Sequence, residues 1–169
     1  MKRTTDSPDR AATPERGRSG VEYRLLGPVE AVRDGTSIDL TARQRALLAL
    51  LLIHANEVVS ADQIIDDLWR PAVDKDRQNA LWVVISRLRA LLEPDREKRT
   101  DGTILLTKPP GYSVAVEPNA LDVHRFISLE QQARALIDAD PAGASGLYRE
   151  ALSLWRVRAL EEFVYDDWA

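Results

Sequence analysis

The chain has 169 residues, 44% apolar and 30% charged, with a net charge of −4. This is a globular composition, long enough for one or two domains and for a core without staples. It has no cysteine and only two histidines, His54 and His124; disulfides, thiolate metal sites and thiol nucleophiles are excluded, and a histidine-rich metal site or a Ser-His-Asp triad is poorly supplied. No apolar run is long enough to span a membrane and no apolar leader is visible, so a cytoplasmic protein without a membrane partner is expected. Nothing in the sequence asks for a cofactor. No G-x-x-x-x-G-K-[ST] phosphate loop occurs, which argues against an intrinsic ATPase.

Charge is unevenly spread. Residues 1–20 hold five basic and three acidic side chains, whereas residues 117–169 hold five basic and ten acidic. Of the 23 cations, only Lys2, Lys75, Lys98 and Lys108 are lysines. A net-acidic chain binds nucleic acid only where cations cluster locally.

Residues 1–20 are almost without large apolar side chains and are expected to form a disordered tail. Val21 to Gly27 and Val29 to Val32 read as strands, Asp34-Gly35 as a tight hairpin turn and Ile38 to Leu40 as the return strand. Thr41 with Gln44 forms a capping box. The helix behind it carries Leu47, Leu48, Leu50, Leu51 and Leu52, apolar nearly all round and therefore central, and should stop near Asn56. Ser60 with Gln63 opens a short second helix striped by Ala61, Ile64, Ile65 and Leu68 and ended by Pro71.

A polar loop from Arg70 to Asp76 leads to the third helix. Its Leu81, Val84, Ile85, Leu88, Leu91 and Leu92 keep strict helical spacing, and Pro94 terminates it. At about 100° per residue, Asn79, Val83, Ser86 and Ala90 face away from that stripe, flanked by Trp82, Arg87 and Arg89. After a charged loop over 95–101, Thr103 to Thr107 and Tyr112 to Val116 read as strands. Lys108-Pro109-Pro110-Gly111 is the hairpin tip between them. From Asp122 onward the pattern is helical only. Asp122 is expected to cap one helix, bearing Val123, Phe126, Ile127 and Leu136. Asp140, with Pro141 at the first position, is expected to cap another, bearing Ala144, Leu147, Tyr148, Ala151, Leu152 and Trp155. This helical hairpin should dock on the N-terminal sheet and leave some of its apolar surface uncovered.

Sheet, three helices and a final hairpin is the order of a winged helix, whose third helix can enter a major groove about 12 Å wide. Val83 to Leu92 resembles the recognition helix of OmpR/PhoB-type response regulators, and Thr107-Lys108-Pro109-Pro110-Gly111-Tyr112 resembles their wing. Leu25-Leu26-Gly27-Pro28-Val29, Arg43-Gln44-Arg45-Ala46-Leu47 and Asp67-Leu68-Trp69 narrow the match. Together they resemble the Streptomyces antibiotic regulatory protein (SARP) family of transcriptional activators. Leu121-Asp122-Val123-His124-Arg125-Phe126 and Ala151-Leu152-Ser153-Leu154-Trp155-Arg156 are similar to the start of that family's tetratricopeptide-like activator domain. The family usually has Gly after Trp-Arg, where this chain has Val157, and its activator domain runs several helices further. The resemblance implies an α+β chain in three parts: a tail at 1–20, a winged helix with an N-terminal antiparallel sheet and a wing hairpin at 21–117, and the start of an all-helical domain at 118–169.

Candidate DNA contacts follow. Arg87 and Arg89 can clamp phosphates or pair with guanine; a solvated helix face is the plainer reading. Asn79 can read adenine and Val83 can meet a thymine methyl, with Ser86 beside them, or all three are ordinary surface. Trp82 either packs under the preceding loop or lies against DNA sugar and phosphate. Lys108 at the wing tip and Arg77 at the helix start are expected on phosphates. The resemblance implies that Arg70, Asp74, Lys75 and Asp76 meet the sigma subunit of RNA polymerase, and that two copies sit side by side on promoter direct repeats. His54 is expected at a helix end and His124 at the seam between the two parts. Glu161, Glu162, Asp166 and Asp167, without a base or ligand spacing near them, read as solvated or partner-facing. The leading expectation is therefore a non-enzymatic DNA-binding activator. The alternative is a protein-interaction adaptor, which would show a contiguous apolar patch on the third helix.

Overall fold

The computed structural model describes residues 20–69, 76–97 and 102–169. The chain opens with β1 (Val21–Arg24), β2 (Glu30–Arg33) and β3 (Thr36–Ser37), an antiparallel sheet in that order. Asp34 and Gly35 both take positive φ, the tight-turn geometry that suits the twist of two paired strands. Because the turn is so short, the return strand starts at once and pairs Thr36 with Arg33 and Ser37 with Val32. The strand expected at Ile38 to Leu40 is thus displaced towards the turn; Ile38 only adds one hydrogen bond, its N–H donating to the Ala31 carbonyl (2.8 Å).

Helix α1 (Ala42–Ile53) begins at the expected capping box: Thr41 Oγ1 accepts from Gln44 N, and the Gln44 side chain accepts from Thr41 N. Its leucines at 47, 48, 50, 51 and 52 are all buried, so this helix is the centre of the core. His54 is its C-cap. A two-residue strand, β4 (Val59–Ser60), precedes α2 (Ala61–Leu68), whose first turn is capped by the Ser60 hydroxyl accepting from Gln63 N. Helix α2 closes at Trp69; the expected stop at Pro71 lies outside the described residues. Helix α3 (Arg77–Leu92) buries Leu81, Ile85, Leu88 and Leu92.

Strands β5 (Leu105–Lys108) and β6 (Gly111–Val114) form the wing hairpin. Strand β6 also pairs with β4, giving a second sheet ordered β4-β6-β5. Gly111 sits where a Cβ would overlap the Val59 carbonyl oxygen, so only glycine lets the wing seat against β4.

Helices α4 (Asp122–Leu136) and α5 (Pro141–Ser153) pack on each other, and α4 also touches β1. Asp140 caps α5 by accepting from Gly143 N (2.9 Å). Asp122 departs from its expected role. The N-cap of α4 is Leu121, and Asp122 is the first helical residue. Its buried carboxylate instead accepts from Leu25 N (2.8 and 3.0 Å) and Leu26 N (2.9 Å).

That contact belongs to a wider seam built on the Leu25-to-Val29 turn. Tyr23 N donates to the Ala120 carbonyl (2.7 Å), Arg156 N to the Leu26 carbonyl (2.9 Å) and Leu160 N to the Leu25 carbonyl (3.0 Å). The Arg156 guanidinium donates to the Pro28 carbonyl (2.6 Å) and pairs with Glu30 (2.7 Å). Gly27 has φ +150°, and a Cβ there would press on the Arg156 side chain at 3.1 Å; glycine serves both the backbone and the contact. Glu162 is not a free acidic residue. It pairs with Arg45 of α1 (2.9 Å) and accepts from Val29 N (3.2 Å). Phe163 follows it into the core beside Trp168, ring centroids 5.0 Å apart. The helical hairpin therefore does dock on the N-terminal sheet. Leu152 and Trp155 stay 62% and 42% exposed, with Trp155 meeting Phe126 edge-on at 5.7 Å.

Candidate nucleic-acid interface

Helix α3 and the wing are held together by two side chains at the end of α3. Arg89 is half-buried; its Nε donates to the Leu105 carbonyl (2.9 Å) and its Nη2 to Thr107 Oγ1 (2.9 Å). Glu93, the C-cap residue of α3, is buried and accepts from Thr103 N, Ile104 N and Leu105 N, each at 2.9 Å. A carboxylate receiving three backbone N–H groups fixes the root of β5 against the helix. Arg33 of β2 ties the N-terminal sheet to the same helix end, donating to the Leu91 and Leu92 carbonyls (3.1 and 2.6 Å) and so satisfying two of the last carbonyls of α3. Beside this joint lies the buried phenol of Tyr23. Burial first, and then the Glu93 charge, raise its pKa above the ordinary tyrosine value, against the opposing effect of Arg33.

The outward face of α3 carries the expected residues. Asn79, Trp82, Val83, Ser86, Arg87 and Ala90 are all exposed. Asn79 is tied locally, its side-chain amide donating to the Asp76 carboxylate. Arg77 is half-buried and engaged in an interaction of its own. Lys108 is exposed at the wing tip. The structure thus brings Arg87 and the Asn79/Val83/Ser86 stripe onto one face with the wing beside it, and it turns Arg89 inward to position that wing. Of the loop expected to meet polymerase, Asp76 is exposed; Arg70, Asp74 and Lys75 lie outside the described residues.

Sequence reading missed Glu93 and Thr107. Their roles depend on β5 folding back against the end of α3, and no local spacing signals it. Two further motif residues meet in space: the Arg43 guanidinium lies 4.8 Å from the Trp69 ring centroid and donates to the Leu68 carbonyl. This packs the start of α1 against the end of α2. No group of His, Cys, Asp and Glu suited to a metal ion occurs among the described residues.

Residues 35–114 match the family described as Transcriptional regulatory protein, C terminal, and residues 121–169 match the Bacterial transcriptional activator domain. The chain is 34% identical over 141 residues to the transcriptional regulator RedD of Streptomyces coelicolor, covering 83% of this chain and 40% of that one. It is 31% identical over 145 residues to the regulatory protein DnrI of Streptomyces peucetius, covering 83% and 53%. It belongs to the SARP family of transcriptional regulators. The SARP fold is matched in three dimensions as well: the structure of Mycobacterium tuberculosis EmbR in complex with a low affinity phosphopeptide superposes with a TM-score of 0.76 at 30% identity, over 85% of this chain and 38% of that one. The chain thus spans about two-fifths to a half of these SARP relatives. The Leu25-to-Val29 segment that carries the SARP resemblance has a physical reason to be there, since its backbone is the socket for Asp122, Arg156 and Glu162.

Proposed function

We propose that this chain is a sequence-specific DNA-binding transcriptional activator, not an enzyme, working in the cytoplasm on promoter direct repeats. Residues 21–117 would bind DNA and residues 118–169 begin the helical activator part. The observation that carries the reading is the exposed α3 face with an arginine flank, set beside a wing that ends in Lys108 and fixed at its root by Arg89 and Glu93. Arg87 and Lys108 clamp phosphates, with Arg77 and the remaining N–H groups of Arg89 nearby; Asn79, Val83 and Ser86 meet base edges. Two copies side by side, each meeting the polymerase sigma subunit through Arg70, Asp74, Lys75 and the exposed Asp76, complete the proposal. The family's kinship with response regulators extends it to phosphorelay-type control by other chains.

Salt dependence tests the DNA contact. Log K should fall linearly with log salt, with a slope of about −4 if only Arg87 and Lys108 of two protomers reach phosphate, and about −7 if Arg77 and Arg89 join them. A slope near zero in a fluorescence titration contradicts the phosphate clamp. The exposed apolar side chains of Leu152 and Trp155 favour a second reading, a protein-interaction adaptor. It predicts no salt-dependent DNA binding at all.

A further inference from the structure

The face of α3 that points away from the core is short of cations. Arg89 is committed to the Leu105 carbonyl and Thr107 Oγ1, and Arg87 stands on one flank. What projects most directly is apolar or small: Val83, 37% exposed, roughly opposite the buried stripe, with Ala90 two turns further on. Trp82 is 64% exposed. At about 100° per residue it lies about 20° from the line through Arg89, and about 10 Å nearer the start of the helix. Since Arg89 reaches the wing, Trp82 is also on the wing side of α3. An indole left in water beside an exposed valine, on a helix that buries Leu81, Ile85, Leu88 and Leu92, calls for an apolar partner.

Guanine is read by Arg or Lys, adenine by Asn or Gln, and thymine by apolar contact with its 5-methyl group. Resting on the DNA-binding reading above, we infer that α3 reads thymine methyl groups through the adjacent pair Val83 and Trp82. Val83 meets the methyl that projects into the major groove, and Trp82 covers it from the wing side and excludes water. Specificity at that step is carried by a methyl group and not by an arginine–guanine pair. The inference names a chemical feature of the operator: at least one thymine per bound protomer whose methyl faces α3.

Deoxyuridine differs from thymidine by that methyl alone, so it tests the claim directly. The chain would be used to enrich binding duplexes from a randomised pool. Each thymine of the selected site would then be replaced in turn by deoxyuridine, and affinity measured for the wild-type chain and for Val83→Ala/Trp82→Ala. Loss of a buried methyl should weaken wild-type binding about fourfold at one position per protomer, with no effect in the double variant. Both residues are exposed, so the variant should fold; its circular dichroism and melting curve check that. A selected site bound with undiminished affinity at every substituted position overturns the inference while leaving DNA binding intact. So does a sensitive position that stays equally sensitive in the double variant. If no duplex is enriched, the DNA-binding reading itself falls.

Discussion

Replacing Asp122 with Ala is expected to release the α4–α5 pair from the N-terminal sheet. The buried carboxylate accepts from the buried N–H groups of Leu25 and Leu26. Each buried donor left unpaired costs about 1–3 kcal/mol, so the variant should lose about 2–5 kcal/mol, a large share of a typical net stability of roughly 5–15 kcal/mol. The seam's two ion pairs, Arg156 to Glu30 and Glu162 to Arg45, join side chains that are partly exposed and screened and add little, and the backbone bonds of Tyr23, Leu25 and Leu26 leave the two buried donors unpaired. Hydrogen exchange reads the outcome by region. Residues 141–155 should exchange much faster in the variant, while residues 81–92 stay protected. Asp122→Asn, which keeps one acceptor oxygen, should fall between. Unchanged protection in 141–155 would show that the seam is held elsewhere.

Glu93→Ala should have an effect of similar size at the other joint. Three backbone N–H groups lose their acceptor, those of Ile104 and Leu105 buried among them. At about 1–3 kcal/mol each, less than fully additive, the loss should be about 3–5 kcal/mol. Because these donors open the wing, the damage is local to the β5 root before it is global. Denaturant unfolding should show a lower midpoint, and DNA affinity should drop even in conditions where α3 remains folded, because Lys108 and the recognition helix lose their fixed relation. Glu93→Gln keeps Oε1, the oxygen shared by Ile104 and Leu105, and should lose less than the alanine variant. Equal unfolding midpoints for wild type and Glu93→Ala would contradict this account of the wing.

Local chemistry made much of the fold legible. The Thr41–Gln44 box, the Asp34-Gly35 turn, the Ser60 cap and the Leu81-to-Leu92 stripe each act within a few residues, and each stands where the sequence places it. What could not be read was set by distant partners. Asp122 heads a helical pattern and so looks like a cap, yet the groups it binds lie 96 and 97 residues away. Strand β4 is two residues long and exists because β6 pairs with it. Arg89 sits on a flank that helical geometry alone leaves in solvent; only the approach of β5 turns it inward. Glu162 resembled one of a set of solvated acids until Arg45 and Val29 were seen beside it. The candidate interface was legible for a related reason: its residues share one helix, and the period of that helix sorts them into a buried stripe and an outward face.

The central claim, that this outward face reads DNA sequence, is tested most directly by comparing affinity for the selected duplex with affinity for a scrambled one. Asn79→Ala and Ser86→Ala should each weaken the selected duplex by about 1–3 kcal/mol where the contact is to a base and leave the scrambled duplex unchanged, whereas Lys108→Ala should weaken both alike. Equal losses on the two duplexes for all three variants, or no loss for any, would contradict the account.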